Sequence, residues 1–341
     1  MAKHQTSTAP IAVEVMRGAL VESRHRASAV VVDAKGKIHR QWGDIDQAVY
    51  PRSAIKSLQA LPLIETGAAD AYDLGDKQIA LACASHGAEG FHTGTIDAWL
   101  ARIGLAEADL ECGAHLPIHA ASMESLLRDG RSADQTHNNC SGKHLGFLTT
   151  ARHLGEPTEG YIRADHPVQR RVTAVLGEMS GVDMSRVSQA VDGCGIPTLA
   201  VPLIGLATAM ARFADPSGLV AERAAAVKRI AAAIAARPEM VAGTGRFCSA
   251  LIEHSNGSIL AKTGAEGVYA VALPELGLGV AVKVEDGAGR ASQVAVAAVL
   301  RTLGAIDEAL EHRLADFMVA PLHNRAGRRV GELRPERDWA Q

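Results

Sequence analysis

Arg52-Ser53-Ala54-Ile55-Lys56 stands where a β-rich N-terminus gives way to helices. Apolar Ile55, Leu58, Leu61 and Ile64 recur at helical spacing, and Gly67 is a stop signal. The spacing predicts a helix over residues 53–65, with Pro62 kinking or shortening it. On such a helix Ser53 and Lys56 share one face, so the lysine nitrogen can reach the serine oxygen. A neutral lysine could take the serine proton and make a nucleophile. A lysine normally titrates at about 10.4, so burial and a second cation must lower it. Lys262 is the candidate cation. The bland alternative is a serine that caps a helix.

Upstream of this helix, residues 11–22 and 28–33 are rich in β-branched side chains. Asp33-Ala34-Lys35-Gly36 signals a turn, and residues 38–42 read as a further strand. Downstream, helices are predicted over 91–103, 122–128, 142–154, 167–179, 198–213 and 221–236, the last closed by Pro238. Strands return at 258–262, 267–273 and 279–285, and a helix follows over about 290–303. Residues 324–341 are charged and expected to fray. Strands at both ends with helices between favour an α+β fold in one catalytic unit, 1–341. Residues 11–50 and 255–305 would share an antiparallel sheet, and 53–240 would form a mainly helical lobe carrying most of the site.

Composition narrows the function classes. The 341 residues are 47% hydrophobic and 21% charged, enough for a full core. Net charge is -3 and aromatics are 4%, so nothing favours a nucleic-acid surface. The N-terminus lacks the apolar core of a signal peptide, and the apolar runs are too short to span a bilayer. Five cysteines do not suggest a disulfide framework. The expectation is a cytoplasmic protein with reduced thiols, acting on neither nucleic acid nor membrane.

Two further segments carry chemistry. His137-Asn138-Asn139-Cys140-Ser141-Gly142-Lys143-His144 packs a thiol, an amine and two imidazoles together. Cys194 lies between two glycines in Asp192-Gly193-Cys194-Gly195. Two thiolates and a nitrogen make a zinc set, with Asp192, His137 and His144 as further ligands or supporting partners. Alternatively Cys140 and Cys194 are small buried hydrophobes. Ser85, before His86 and Gly87, follows the apolar run 79–83 and is placed to face a cleft or to serve a turn. His115, His119, His153, His166 and His254 read as surface or satisfied core residues.

Ser53-x-x-Lys56 with a later Lys262-Thr263-Gly264 is similar to the β-lactamase and penicillin-binding group, although no Ser-Asp-Asn element lies between. The whole pattern more closely resembles the class 3, rhizobial-type L-asparaginases. The matching stretches are Val13-Glu14-Val15-x-Arg17-Gly18, Arg52-Ser53-x-x-Lys56, Ser85-His86 and Cys140-Ser141-Gly142-Lys143-His144. They continue with Asp192-Gly193-Cys194-Gly195-x-Pro197, Lys262-x-Gly264-Ala265-Glu266-Gly267 and Lys283-x-x-Asp286-Gly287. The resemblance implies a serine-β-lactamase-like or glutaminase-like fold, a homodimer, and hydrolysis of L-asparagine to L-aspartate and ammonia. It implies serine-lysine pairs Ser53 with Lys56 and Ser85 with Lys262. It also implies a zinc held by Cys140, Lys143 and Cys194 with Asp192 nearby. Within the matching stretches Arg52, His86, Gly264 and Ala265 are the expected substrate-binding residues. Competing expectations are a glutaminase, a β-lactamase or D,D-peptidase, and a non-enzymatic zinc-binding protein.

Overall fold

A computed structural model describes residues 9–341. One antiparallel sheet organises the chain. Its strands are β1 (Ile11–Arg17), β2 (Leu20–Asp33), β3 (Ile38–Trp42), β4 (Leu260–Thr263), β5 (Val268–Leu273), β6 (Leu278–Val284), β7 (Ala320–His323) and β8 (Arg329–Pro335). The order is β7-β8-β1-β2-β6-β5-β4, and β3 also pairs with β2. The unusually long β2 makes this possible. Residues 20–26 pair with β1, and residues 27–33 pair with β6. All six residues of β5, Val-Tyr-Ala-Val-Ala-Leu, are buried. Successive side chains of a strand point to opposite faces, so the sheet is covered on both sides.

The helices that matter for the site are α1 (Lys56–Gln59), α2 (Asp76–Ala82), α3 (Ser141–Leu154), α4 (Leu203–Ala214), α5 (Ala221–Ala236) and α6 (Gly289–Thr302). α4 lies on the sheet: a methyl on Gly279 of β6 would come within 2.1 Å of the Ala207 carbonyl. α6 packs on β6, β5 and β1. Antiparallel strands from both ends with helices between make the fold α+β, as the sequence pattern indicates. The helix at 221–236 matches its expected limits.

Three expectations need correction. The helix over 53–65 is broken. Arg52–Ile55 forms a 3₁₀ turn, Ile55 leaves helical geometry at φ -104°, ψ 15°, and Leu61–Glu65 restarts with Pro62 in its first turn. The helix over 198–213 begins only at Leu203, because Pro197–Leu199 and Val201–Pro202 are extended. The C-terminus does not fray. β8 pairs with β1, and Trp339 is buried against Trp42, its indole nitrogen donating to the Ala295 carbonyl. The sheet therefore extends beyond residues 11–50 and 255–305 to include 320–335.

Candidate active site

Four segments converge. The 3₁₀ turn and α1 carry Arg52, Ser53 and Lys56. The loop after α2 carries Ser85 and His86. The start of α3 carries Cys140 and Lys143. β4 carries Lys262. Glycines allow two of these approaches. A methyl on Gly264 would sit 2.5 Å from the Pro51 carbonyl and 3.3 Å from Ala54, so the residue after β4 must be glycine to lie on the Ser53 turn. A methyl on Gly142 would sit 2.3 Å from the Leu81 carbonyl, so α3 reaches the end of α2 only through glycine.

The Ser85 hydroxyl lies between two ammonium groups, Lys56 Nζ at 3.0 Å and Lys262 Nζ at 2.9 Å. Both lysines are buried. Burial lowers the Lys262 amine to about 7, with help from the cationic Lys56 and Arg246. Burial lowers Lys56 as well, against the raising effect of Cys140. Lys56 also donates to the carbonyls of Ala84 and Asn139 and lies 3.1 Å from Cys140 Sγ. The expected pairing of Ser85 with Lys262 is present. The expected contact of Lys56 with Ser53 is not: the break at Ile55 turns the Lys56 ammonium toward Ser85 instead. Ser53 is half-buried and lines a narrow cleft with Arg52, Gln59, Lys143, Asp192 and Thr198.

Behind the lysines lies the thiol cluster. Lys143 Nζ contacts Cys194 Sγ at 3.0 Å, and Cys194 hydrogen-bonds Cys140. This bond and the nearby lysines hold Cys140 well below the usual thiol range. Burial opposes charge on Lys143, but Cys140 and Cys194 together raise it. Cys194 reaches the cluster from a tight turn between the short strands Gln189–Val191 and Pro197–Leu199. Two soft sulfurs and an amine, all buried, are a donor set that suits zinc. Among the described residues no group of three His, Cys, Asp or Glu side chains is arranged to hold a metal ion, so Lys143 is needed to complete this set. His137 is bonded to Asp134 at 2.8 Å and His144 to Tyr161 at 2.6 Å, so neither joins the thiols.

Asp192 grips Arg52 through two hydrogen bonds, 2.9 and 3.2 Å. Arg52 stands at φ 51°, a backbone region unfavourable to side chains other than glycine. The pair raises the guanidinium pKa and keeps Asp192 ionised against its burial. The surroundings of His86 do not favour the substrate-binding role expected of it. It is fully buried, its Nε2 meets Ser141 Oγ at 2.9 Å and its Nδ1 accepts from the Ala88 amide. Burial holds its imidazole well below its ordinary pKa. It braces α3 against the Ser85 loop and has no nitrogen left for substrate.

Sequence reasoning missed Asn139. Its carbonyl accepts from Lys56 and from the His86 amide, its side-chain oxygen lies 3.1 Å from Cys140 Sγ, and its amide donates to His115 Nε2. Its place beside Cys140 was the only signal, because its backbone does most of the bonding.

Residues 13–335 match the L-asparaginase II family. The chain belongs to that family. No curated protein sequence matches the chain significantly. Among solved structures it is loosely similar to Mglu in its tris and glutamate form, with 14% identity and a TM-score of 0.46 over 87% of this chain. The chain spans 63% of that protein's length. A β-lactamase from Mycobacterium bovis matches at 14% identity and a TM-score of 0.39, covering 86% of this chain and 95% of the other. Simvastatin synthase from Aspergillus terreus matches at 12% and 0.40, covering 76% of this chain and 86% of the other. No described helix is long and apolar enough to cross a membrane.

Proposed function

We propose that this family member hydrolyses L-asparagine to L-aspartate and ammonia through a serine ester. The observation that carries the reading is the Ser85 hydroxyl held between Lys56 and Lys262 at 3.0 and 2.9 Å, next to the cleft that Ser53 lines. Such a chain of exchangeable protons suits a reaction that must take a proton from a nucleophile and give one to a leaving amine. Ser53, the more exposed serine, attacks the side-chain amide carbon. Its proton enters the Lys56–Ser85–Lys262 chain. Lys262, lowered to about 7, is largely neutral in mildly alkaline solution and has a lone pair to offer.

Backbone N–H groups of Ser53 and Ala265 are suited to the oxyanion, because Gly264 brings the strand end onto the Ser53 turn. The tetrahedral carbon then expels ammonia as the relay returns the proton. Water, deprotonated by the same chain, cleaves the Ser53 ester and frees L-aspartate. Arg52 and Asp192, of opposite charge at the cleft, suit the α-carboxylate and α-ammonium of an amino acid. Cys140, Lys143 and Cys194, with Asp192 nearby, would hold the zinc. Its charge would polarise and orient a substrate oxygen. The active form in this proposal is a homodimer.

A second reading has its own observation. Ser85, not Ser53, touches both lysines, which suits Ser85 as the attacking group. The experiment that tests the function is ammonia release from L-asparagine and L-glutamine in parallel at pH about 8 to 9, above the relay's titration. Release from asparagine supports the proposal. Release chiefly from glutamine overturns the substrate, since one methylene is worth about 1–3 kcal/mol in a pocket. Release from neither by a zinc-replete, folded sample overturns the enzymatic reading and leaves a zinc-binding protein. Acylation of Ser85 in a trapped intermediate would select the second reading.

A further inference from the structure

The turn after β4 does more than carry Gly264 and Ala265 to the Ser53 turn. Its next residue, Glu266, has φ 58°, and Gly267 follows at φ 69°. A glutamate in left-handed backbone persists only where its surroundings hold it there. The hold comes from the neighbouring strand. Lys283 on β6 is half-buried, and its ammonium donates to the Glu266 carbonyl at 2.7 Å and the Val284 carbonyl at 2.5 Å. The Val284 amide donates to the Gly267 carbonyl at 2.9 Å, and the Gly264 amide to the Val268 carbonyl at 2.8 Å. Glu266 also folds over the next turn: a methyl on Gly287 would come within 2.6 Å of Glu266 Oε2. That turn is itself tied to the sheet, because Asp286 is 2.6 Å from His25 Nδ1 on β2.

We propose that Lys283 is a positioning residue of the active site, a clamp that holds the strained Glu266 turn so that Gly264 and Ala265 stay seated on the Ser53 turn. It touches no reacting atom. It acts through two backbone carbonyls, that of Glu266 and that of Val284, the second of which also accepts from the Gly287 amide at 3.2 Å. A lysine fits because its compact ammonium has three donors and can serve two carbonyls at once. The role of the turn in substrate binding rests on the function proposed above; the clamp itself does not.

The test compares wild type, Lys283→Met and Lys283→Arg in the full chain, by asparagine turnover and by hydrogen exchange resolved at the Gly264 and Val284 amides. Lys283→Met is expected to exchange faster at both amides. It is expected to lose about 10- to 100-fold in kcat/KM, chiefly in kcat, as befits a displaced oxyanion donor. Lys283→Arg, which can still donate to both carbonyls, is expected to recover most of the protection and rate. Wild-type exchange in Lys283→Met overturns the clamp. Faster exchange with unchanged kinetics, or a loss spread equally over Lys283→Arg and Lys283→Met, overturns the positioning role. If wild type releases no ammonia, the function fails and the exchange data alone decide the clamp. If Lys283→Met does not fold, Lys283→Gln, which keeps one donor group, takes its place with the same readouts.

Discussion

The Lys262 ammonium lies 2.9 Å from the Ser85 hydroxyl and joins the edge strand of the sheet to the loop after α2. That junction sets a pH dependence. Burial brings Lys262 to about 7, so the neutral amine needed as a base is populated only above that pH. Turnover is therefore predicted to rise with pH through about 7 and to lose that limb in Lys262→Met, with activity falling at least about 100-fold. A rate profile flat from pH about 5.5 to 8.5 would contradict the assignment.

The same group acts on stability, with a sign that can be worked out. Folded Lys262 loses its proton near 7, whereas unfolded lysine keeps it to about 10.4. Between those values the unfolded chain binds more protons, so stability contributed by this residue rises with pH. Below about 7 both states are protonated and the cost of burying the charge is fully present. Lys262→Met is thus predicted to be inactive yet more stable near neutral pH, by about 1–3 kcal/mol, in denaturant titrations. A destabilised Lys262→Met would show that the hydrogen bonds to Ser85 and Thr263 outweigh the desolvation.

Ser53→Ala and Ser85→Ala separate the attacking oxygen from the relay. If Ser53 attacks, Ser53→Ala abolishes turnover and prevents ester formation. Ser85→Ala then slows turnover by about 100- to 10,000-fold but still permits trapping of an ester on Ser53. Mass spectrometry of quenched enzyme gives the site directly. Near-wild-type turnover by Ser53→Ala would move the attack to Ser85.

How far these roles could be read from the chain depends on what fixes them. Lys56, Ser85, Cys140, Lys143, Cys194 and Lys262 carry chemistry recognisable from residue type and spacing, and the structure gathers them. Their partners were less legible. An unbroken helix places Lys56 on the face of Ser53. A single departure at Ile55, where φ is -104°, sends it to Ser85, and no residue pattern marks that departure. His86 sits inside a motif whose neighbours face the cleft, yet tertiary packing uses both its nitrogens. At the C-terminus, the polar face of β8 looks like a solvated tail, and only Trp339, packed on Trp42, reveals its docking.

Arg52 and Asp192 are predicted to matter for both fold and substrate. Their two-point contact holds a residue at φ 51° beside the attacking serine. Asp192→Asn keeps the shape but removes the charge. It should cost about 1–3 kcal/mol of stability and raise KM for asparagine far more than it lowers kcat. Equal losses of kcat and kcat/KM with unchanged KM would place Asp192 in the chemical step instead.

The thiol cluster yields a metal prediction. Elemental analysis of wild type should find close to one zinc per chain, falling sharply in Cys140→Ala and Cys194→Ala. Affinity for asparagine should fall with the metal if zinc orients substrate. Full zinc content and affinity in Cys140→Ala would leave Cys140 as a buried thiol facing Lys56 and nothing more.

Gly264→Ala tests the seat on which the site is built. The added methyl would lie 2.5 Å from the Pro51 carbonyl and 3.3 Å from Ala54, both parts of the backbone turn that presents Ser53. Neither neighbour is a flexible side-chain end, so β4 and the turn must separate. Forced separation in a packed region costs about 1–3 kcal/mol. It also displaces Lys262 and the Ala265 amide together, and a misplacement of about 1 Å can cost about 100-fold in rate. Gly264→Ala is therefore predicted to fold with a lowered melting temperature and to lose at least that factor in kcat. Wild-type turnover would mean that the strand end and the Ser53 turn do not act as one unit, and the proposed oxyanion site would lose its structural basis.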